Sequence, residues 1–263
     1  MSWTDLFTFE TGATTDVGCR REVNEDSLLA SPETGLWLVA DGMGGHAAGD
    51  FASQTIVKDM CSVGMAGSLA DFEARVMDRL TRANRHILDH AAELDRGTIG
   101  ATVVALLVHG RDYACIWSGD SRAYLLRNDH LVQQSRDHTE VRALLDAGSI
   151  TQAEADHWPR RNVITRAIGV TDAPECDIVE GALESDDRFL LCSDGLTEHL
   201  TDEDIMQFMR SGTPQEACDR MIAETLSRGA KDNVTVVMIR CHAVPPLDDT
   251  DEDFETLMMD HLK

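Results

Sequence analysis

The stretch "LWLVADGMGGHAAGD", residues 36–50, places a carboxylate where an apolar run stops. The run Leu36–Ala40 predicts a buried strand. Asp41 follows it directly, ahead of a glycine-rich turn and the start of a helical segment. A charged group at the end of a buried strand is costly unless a partner compensates its charge. The stretch therefore predicts a counter-ion beside Asp41.

The same arrangement recurs along the chain. "RFLLCSDG" puts Asp194 after an apolar run and before a glycine, and "CIWSGDSR" puts Asp120 just past another run. Asp232 stands before the last apolar run, and the pair Glu25 and Asp26 stands before the early run "SLLA". Any single aspartate at such a place is more often a turn or cap residue. The repetition favours a second interpretation, in which the carboxylates converge at one edge of the fold.

Converging carboxylates cannot all stay ionised without cations between them. Ligands made only of oxygen suit hard divalent ions such as Mg²⁺ or Mn²⁺, and a glycine after the aspartate allows a backbone carbonyl to join them. Two such ions sharing one carboxylate clamp a displacement at phosphorus and supply hydroxide at neutral pH. Arg20 and Arg21 precede the acidic pair Glu25 and Asp26, and a guanidinium can hold a phosphate bidentately. The pattern predicts a metal-dependent enzyme acting on a phosphate ester.

Composition limits the other classes of function. The 263-residue chain carries 47 acidic and 23 basic residues, a formal charge of −24, so we expect neither nucleic-acid nor membrane binding. Its length suits one well-cored domain, and no apolar run approaches the roughly 20 residues that span a bilayer. Seven cysteines without a CxxC pair, and an N-terminus without a signal-peptide pattern, predict reduced thiols and a cytoplasmic location.

The apolar spacing predicts strands and helices in separate groups. Four strand-like runs between residues 101 and 135 are joined by turns such as "HGRD" and "RNDH", which are too short for crossover helices and indicate antiparallel hairpins. Helical spacing covers residues 47–67, 69–94 and 196–229, and a polar helical excursion covers 138–160. This grouping predicts antiparallel sheets covered by helices. The other predicted strands are residues 7–18, "SLLA", "LWLVA", "VITRAIG", "CDIVEGAL", "RFLLCSDG" and "NVTVVMIRC".

Eight segments follow one another along the chain: "RREVNED", "VADGMGGHAAGDFAS", "GTIGATVVALL", "WSGDSRAYLL", "SRDHT", "RNVITRAIG", "LLCSDGLTEHL" and "KDNVTVVMI". In this order they resemble the metal-dependent Ser/Thr protein phosphatases of the type 2C class, most closely the compact bacterial members. The resemblance spans about residues 9–241. It implies an α+β fold, a four-layer αββα sandwich with two central antiparallel β-sheets flanked by helix pairs. The expected limits are a phosphatase domain at residues 1–243, a flap beside the metal site at about 137–161, and an acidic tail at 244–263.

The resemblance also implies a role for each matching residue. Asp41 is expected to bridge two metal ions, and the carbonyl of Gly42 is expected to bind the second ion. Asp194 and Asp232 match the other ligands of the first ion, and Arg21 matches the arginine that binds the substrate phosphate. Arg20 lies one residue out of register. The remaining acids, expected to hold metal-bound waters, to bind directly or to ligate a third ion, are Glu25, Asp26 and Asp120.

The implied cofactors are two to three divalent cations, Mn²⁺ or Mg²⁺. The implied reaction is hydrolysis of phosphoserine and phosphothreonine by direct attack of a metal-activated water, and the implied partners are phosphorylated proteins and a Ser/Thr kinase. We expect a monomer.

Met43 stands where many eukaryotic relatives carry a histidine proposed as general acid. Since Met43 cannot donate a proton, that acid stays unassigned, with a metal-bound water as our expectation, and His46 is expected at a helix start.

Three other interpretations are open. The chain could be a catalytically weak binding or regulatory module with the same fold, which only Met43 and the acidic tail favour. "GMGGHA" fits a loose dinucleotide-binding fingerprint, but Asp41 would repel the pyrophosphate and the βαβ context is missing. A cysteine-based phosphatase needs a C-x5-R spacing. The nearest pair, Cys115 and Arg122, is one residue too long and encloses Asp120.

Overall fold

A computed structural model describes residues 6–44, 48–94, 97–160 and 162–244. These residues form eleven strands and seven helices. The strands are β1 (Phe7–Asp16), β2 (Asp26–Ser31), β3 (Leu36–Met43), β4 (Gly100–Ala101), β5 (Val103–His109), β6 (Asp112–Ser118), β7 (Arg122–Arg127), β8 (His130–Gln133), β9 (Asp177–Ala182), β10 (Arg188–Cys192) and β11 (Val234–Ala243). The helices are α1 (Gly49–Met60), α2 (Leu69–Glu93), α3 (Glu140–Asp146), α4 (Gln152–Ala155), α5 (Asp194–Thr197), α6 (Asp202–Arg210) and α7 (Pro214–Ser227).

The strands form two antiparallel sheets. The first has the order β1-β11-β10-β7-β8, and the second has the order β2-β3-β5-β6-β9 with β4 beside β3. The short turns predicted to close hairpins do so between β5 and β6 and between β7 and β8. In the second hairpin, Asn128 and Asp129 have φ of 49° and 62°, as expected for a two-residue turn that matches the strand twist.

Strand β3 shows how the layers are built. Leu36 and Leu38 belong to the core shared with α1 and α2, whereas Trp37 and Val39 belong to the core between the two sheets. Successive side chains of a strand point to opposite faces, so a strand buried on both faces has a continuous apolar run. A third core packs the first sheet against α5, α6 and α7. The predicted four-layer αββα sandwich is therefore confirmed.

The structure corrects three details of the sequence analysis. Strand β3 does not end before Asp41 but continues to Met43, because Gly42 and Met43 pair with β4. Asp194 is the first residue of helix α5, since the preceding strand ends at Cys192. "VITRAIG" is not a strand: its residues make only two isolated bridges, at Ile164 and Ile168.

The region predicted as a flap contains two short helices. Helices α3 and α4 lie within residues 137–161, and each is preceded by an N-cap threonine, Thr139 or Thr151, whose hydroxyl accepts a backbone N–H of the first turn. Among the described residues, no helix is long and apolar enough to cross a membrane. The predictions for His46 and for the acidic tail from residue 245 onward lie outside the described residues.

Candidate metal centre

The candidate site forms at one end of both sheets. Asp26 and Asp41 are opposite each other in the antiparallel pair β2–β3. From the other sheet, the hydroxyls of Ser193 and Thr235 donate to Asp26 Oδ2 at 2.8 and 2.7 Å. Asp26 is buried, with 8% of its surface exposed, and its hydrogen bonds join the two sheets at the point where Asp194 starts helix α5.

The acids of this cluster raise one another's pKa values. Burial raises the pKa of Asp41 well above its ordinary value, and the charges of Asp26 and Asp194 raise it further. Burial likewise raises the pKa of Asp194 well above its ordinary value, and it raises the pKa values of Asp26 and Asp120 to about 6. A cation among these groups would favour their charged forms.

Asp120 lies in the turn between β6 and β7 and is connected to the strand of Asp41. The hydroxyl groups of Thr102 and Ser121 are 2.7 Å apart. The backbone N–H of Thr102 donates to the carbonyl oxygen of Asp41 at 2.8 Å. No sequence pattern singled out Thr102, which connects the backbone of two predicted ligands, Asp41 and Asp120.

Arg21 faces the cluster from its open side. Its Nη2 donates to Asp232 Oδ2 at 2.7 Å, and 49% of the Arg21 side chain is exposed. The pKa of Arg21 is raised, first by the hydrogen bond with Asp232 and also by the charges of Glu25 and Asp41. Arg21 is therefore accessible to a phosphate group that approaches the acids, whereas Arg20 makes no hydrogen bond or ion pair with any described residue.

Asn233 fastens the loop that carries Arg21. Its side-chain NH₂ donates to the carbonyl oxygens of Val17 and Val23 at 2.9 and 3.0 Å, and its Oδ1 accepts the N–H of Glu25 at 2.8 Å. A side-chain amide can satisfy several backbone groups at once. The sequence signal for it was only its place between Asp232 and the last strand.

Glu25 and Gly42 have structural contacts of their own. Glu25 Oε1 accepts the N–H of Gly49, the first residue of α1, at 3.1 Å, which places a negative charge where a helix N-terminus favours one. A Cβ on Gly42 would lie 2.0 Å from the carbonyl oxygen of Gly49. The glycine after Asp41 is thus required for the approach of β3 to α1. The predicted roles of Glu25 and Gly42 as metal ligands stay predictions.

A cavity of about 300 Å³ adjoins the cluster and separates it from the flap. Its arginines already have partners: Arg122 makes a two-pronged pair with Asp137 at 2.7–3.1 Å, and Arg142 lies 3.2 Å from Asp146. In the part of the chain that the structure describes, the cavity charges that form no ion pair are therefore negative. The acids that contribute it are Asp120, Asp156, Asp194 and Glu198.

The donors present fit hard divalent cations. Asp26, Asp41, Asp120 and Asp194 offer only oxygen, and their pKa values are raised first by burial and also by neighbouring carboxylates, so their charged forms are costly without a cation. Mg²⁺ and Mn²⁺ prefer such ligands, and Mg²⁺ usually keeps several waters besides one or two carboxylates. Within residues 6–44, 48–94, 97–160 and 162–244, no group of three or more His, Cys, Asp or Glu side chains is arranged to hold a metal ion. The fit therefore rests on the chemistry and charge of the donors.

Two of the alternative functions conflict with this geometry. The helix pair after "GMGGHA" leads to a strand, β5, that is antiparallel to β3, so the βαβ unit of a dinucleotide site is absent at this place. Burial raises the pKa values of Cys115 and Cys192 to about 12, which opposes thiolate chemistry. All seven cysteines are free.

Comparisons of the sequence with known proteins agree with the geometry. The family model described as protein phosphatase 2C matches residues 19–233. The serine/threonine protein phosphatase PstP of Mycobacterium tuberculosis is 38% identical over 229 residues, which are 86% of this chain and 44% of that protein. The serine/threonine phosphatase stp of Listeria innocua is 33% identical over 234 residues, which are 86% of this chain and 93% of that protein. The chain thus spans less than half of PstP and most of stp.

Two solved structures are also similar to this chain. PppA of Pseudomonas aeruginosa, described as a key regulatory component of T6SS, has a TM-score of 0.84 and 37% identity, with 90% of this chain and 99% of that chain covered. The catalytic domain of PstP in complex with two manganese ions has a TM-score of 0.81 and 34% identity, with coverage of 90% and 99%.

Proposed function

The chain belongs to the protein phosphatase 2C family, and we propose on this basis that it is a divalent-metal-dependent phosphatase that hydrolyses phosphoserine and phosphothreonine in proteins. The observation that carries the proposal is the group of acids around Asp41, whose pKa is raised by burial and by four neighbouring aspartates. Arg21 stands beside this group with half of its side chain accessible. Carboxylates that need cations, next to an open guanidinium, suit a phosphate monoester.

Different residues of the chain would hold the different ions. Asp41, Asp194 and Asp232 would hold the first ion, Asp41 and the Gly42 carbonyl would hold the second, and Asp120 would hold a third. When bound, the ions supply Lewis acidity that lowers the pKa of water and compensates the charge of the phosphate.

Three groups of the chain act on the substrate and on the ligands. Arg21 binds the phosphate oxygens and orients the ester, for which it exchanges its hydrogen bond to Asp232. The hydroxyls of Ser193 and Thr235 keep Asp26 turned toward the site.

The wider setting is also part of the proposal. We infer that residues 1–243 form the phosphatase domain, that the protein acts in the cytoplasm as a monomer, and that it reverses a Ser/Thr kinase. Seven free cysteines support a reducing compartment. The matched relatives named as serine/threonine phosphatases support phosphorylated proteins as substrates.

The test is phosphate release from a phosphothreonine peptide by metal-stripped protein, titrated with Mn²⁺ and with Mg²⁺. Release should require the ion, and Asp194→Asn should reduce it by more than about a hundredfold, since metal-ion catalysis supplies several kcal/mol. Asp112→Asn, the same change on an exposed residue at the far end of β6, is the control. Folded protein that releases no phosphate at any ion concentration would instead favour the binding or regulatory module.

A further inference from the structure

His138 lies where the flap leaves the sheets, in the "SRDHT" segment to which the proposed chemistry gives no role. Its side chain is buried, with 8% exposed, although it belongs to a connecting segment. The imidazole stacks on Trp117, with ring centroids 6.0 Å apart, and the indole N–H of Trp117 donates to the carbonyl oxygen of Arg136 at 2.8 Å. A polar ring buried against a fixed indole needs hydrogen-bond partners for both of its nitrogens.

The first nitrogen is satisfied by the turn that carries Asp120. The backbone N–H of Gly119 donates to His138 Nδ1 at 3.2 Å, and the backbone N–H of His138 donates to the carbonyl oxygen of Gly119 at 2.9 Å. The two residues thus exchange two hydrogen bonds. Because Gly119 directly precedes Asp120, this pair of bonds fixes the backbone from which the Asp120 carboxylate extends.

The second nitrogen is satisfied by a carboxylate. His138 Nε2 lies 3.2 Å from Asp177 Oδ2, and the other oxygen of Asp177 accepts from Arg166 Nη1 at 2.7 Å. Since Nδ1 accepts a hydrogen bond, it carries no proton, and the single proton of the neutral ring is on Nε2, where Asp177 accepts it. Arg166 Nη1 also lies 3.3 Å from Nε2, but its short bond goes to Asp177.

The turn is held from its other side by Thr102. Gly119 has φ of +116°, and a Cβ on it would lie 2.5 Å from Thr102 Cβ. Thr102 also contacts the Ser121 hydroxyl and the carbonyl of Asp41. With Thr102 on one side and His138 on the other, the backbone on either side of Asp120 has little freedom to move.

His138 also binds both ends of the flap. The carbonyl oxygen of His138 accepts the N–H of Thr165, in the segment returning from the flap, at 2.7 Å, and the next residue, Thr139, caps helix α3. His138 therefore contacts the Asp120 turn, the start of the flap and its end.

We propose that His138 is a positioning residue: as a neutral imidazole protonated on Nε2 and held by Asp177, it fixes the Gly119–Ser121 turn and so sets Asp120 relative to the flap. The catalytic meaning of this role rests on the proposed function, because Asp120 matters there as an ion ligand. The tautomer and the hydrogen bond to Gly119 do not depend on it.

The experiment compares two replacements that each keep one nitrogen's contact. In His138→Asn the amide oxygen can take the place of Nδ1 and accept from Gly119, whereas in His138→Gln the amide reaches toward Asp177 and the acceptor for Gly119 is lost. We expect His138→Asn to keep the Mn²⁺ dependence of the wild-type protein. We expect His138→Gln to need about fivefold more Mn²⁺ for half-maximal activity and to show an equally weakened last Mn²⁺ binding step in titration calorimetry, because one hydrogen bond near a ligand is worth about 1 kcal/mol.

A second readout is independent of activity. In metal-free ¹⁵N-labelled protein at neutral pH, long-range ¹H–¹⁵N spectra should show His138 with its proton on Nε2 and an unprotonated Nδ1. A proton on Nδ1, or equal Mn²⁺ dependence of the Asn and Gln variants, would overturn the proposal. If the wild-type protein releases no phosphate, the proposed function fails, and the spectrum and the calorimetry still decide the role of His138.

Discussion

Asp26 and Asp41 are cross-strand neighbours in the antiparallel pair β2–β3, so two carboxylates stand opposite each other at the buried edge of a sheet. Like charges in this arrangement destabilise a sheet. Asp41→Asn should therefore raise the free energy of unfolding of the metal-free protein by roughly 1 kcal/mol. The measurement is urea unfolding in the presence of a chelator.

With metal bound, the wild-type protein should become more stable than Asp41→Asn. At an Mn²⁺ concentration of about 100 times its dissociation constant, the wild-type protein should gain about 2.7 kcal/mol, and Asp41→Asn should gain much less because the shared ligand is missing. Asp112→Asn, on an exposed residue of β6, should follow the wild-type protein in both conditions. A chelated Asp41→Asn protein that is less stable than the wild type would show that the Asp26–Asp41 pair is not repulsive.

Arg21 and Arg20 form a natural pair of variants for the phosphate contact. Arg21 binds Asp232 in the structure, whereas Arg20 has no bond to a described residue. At saturating Mn²⁺, Arg21→Ala should raise KM for a phosphopeptide about ten- to a hundredfold, the equivalent of the 1.5–3 kcal/mol of a charged hydrogen bond. Arg20→Ala should leave KM nearly unchanged. An equal rise in both variants would mean that general positive charge, and not Arg21, attracts the substrate.

The sequence predicted the layers well because each layer follows from a local period. The apolar run at residues 36–40 predicted a strand buried on both faces, and the short turns predicted hairpins, since these patterns depend only on near neighbours in the chain. The two-residue strand β4 is shorter than any period can reveal, and for this reason the continuation of β3 past Asp41 was missed. "VITRAIG" has a strand's composition, but it returns from the flap and bridges only at Ile164 and Ile168.

The sequence predicted the acids of the site but not the hydrogen-bonding residues that hold them in place. The structure brings Asp41, Asp194 and Asp232 within electrostatic reach of one another, as their places at strand boundaries suggested. The hydroxyls that hold Asp26 come from Ser193 and Thr235, which are 167 and 209 residues away along the chain. No short-range pattern reports such contacts. The available signal was a serine and a threonine inside apolar runs, since buried hydroxyls need partners.

Glu198 is the residue of the cavity best placed to select among substrates. It lies one helical turn after Asp194, has no basic partner in the described structure, and accepts a hydrogen bond from Asn162 at 2.6 Å. The cavity arginines Arg122 and Arg142 already face Asp137 and Asp146. A basic side chain next to the phosphorylated residue should therefore be favoured in this cavity.

The expected result is a change in preference and not in basal activity. Glu198→Gln should reduce kcat/KM for a phosphopeptide with flanking arginines about fivefold relative to one with flanking glutamates, since an exposed ion pair contributes at most about 1 kcal/mol. Hydrolysis of p-nitrophenyl phosphate, which has no flanking charged side chains, should not change. Glu203→Gln, on the exposed surface of α6, is the matched control. Equal cleavage of both peptides by the wild-type protein at low salt would rule out this preference.

His138 should also leave a signature in the pH dependence of stability. The pKa of His138 is lowered from 6.5, first by burial and also by the charge of Arg166, while the carboxylates Asp177 and Asp137 act in the opposite direction. A lowered pKa means that the unfolded chain binds more protons than the folded one as the pH falls below about 6.5, so the free energy of unfolding decreases there.

His138→Asn cannot bind that proton and should lose less stability than the wild-type protein between about pH 7.5 and 5.5. Urea unfolding of metal-free protein measures the difference, in which the contributions of the unchanged acids largely cancel. His130→Asn, on an exposed histidine of β8, gives the effect of the substitution itself. Parallel losses in the wild type and in His138→Asn would mean that His138 is not held neutral by its surroundings.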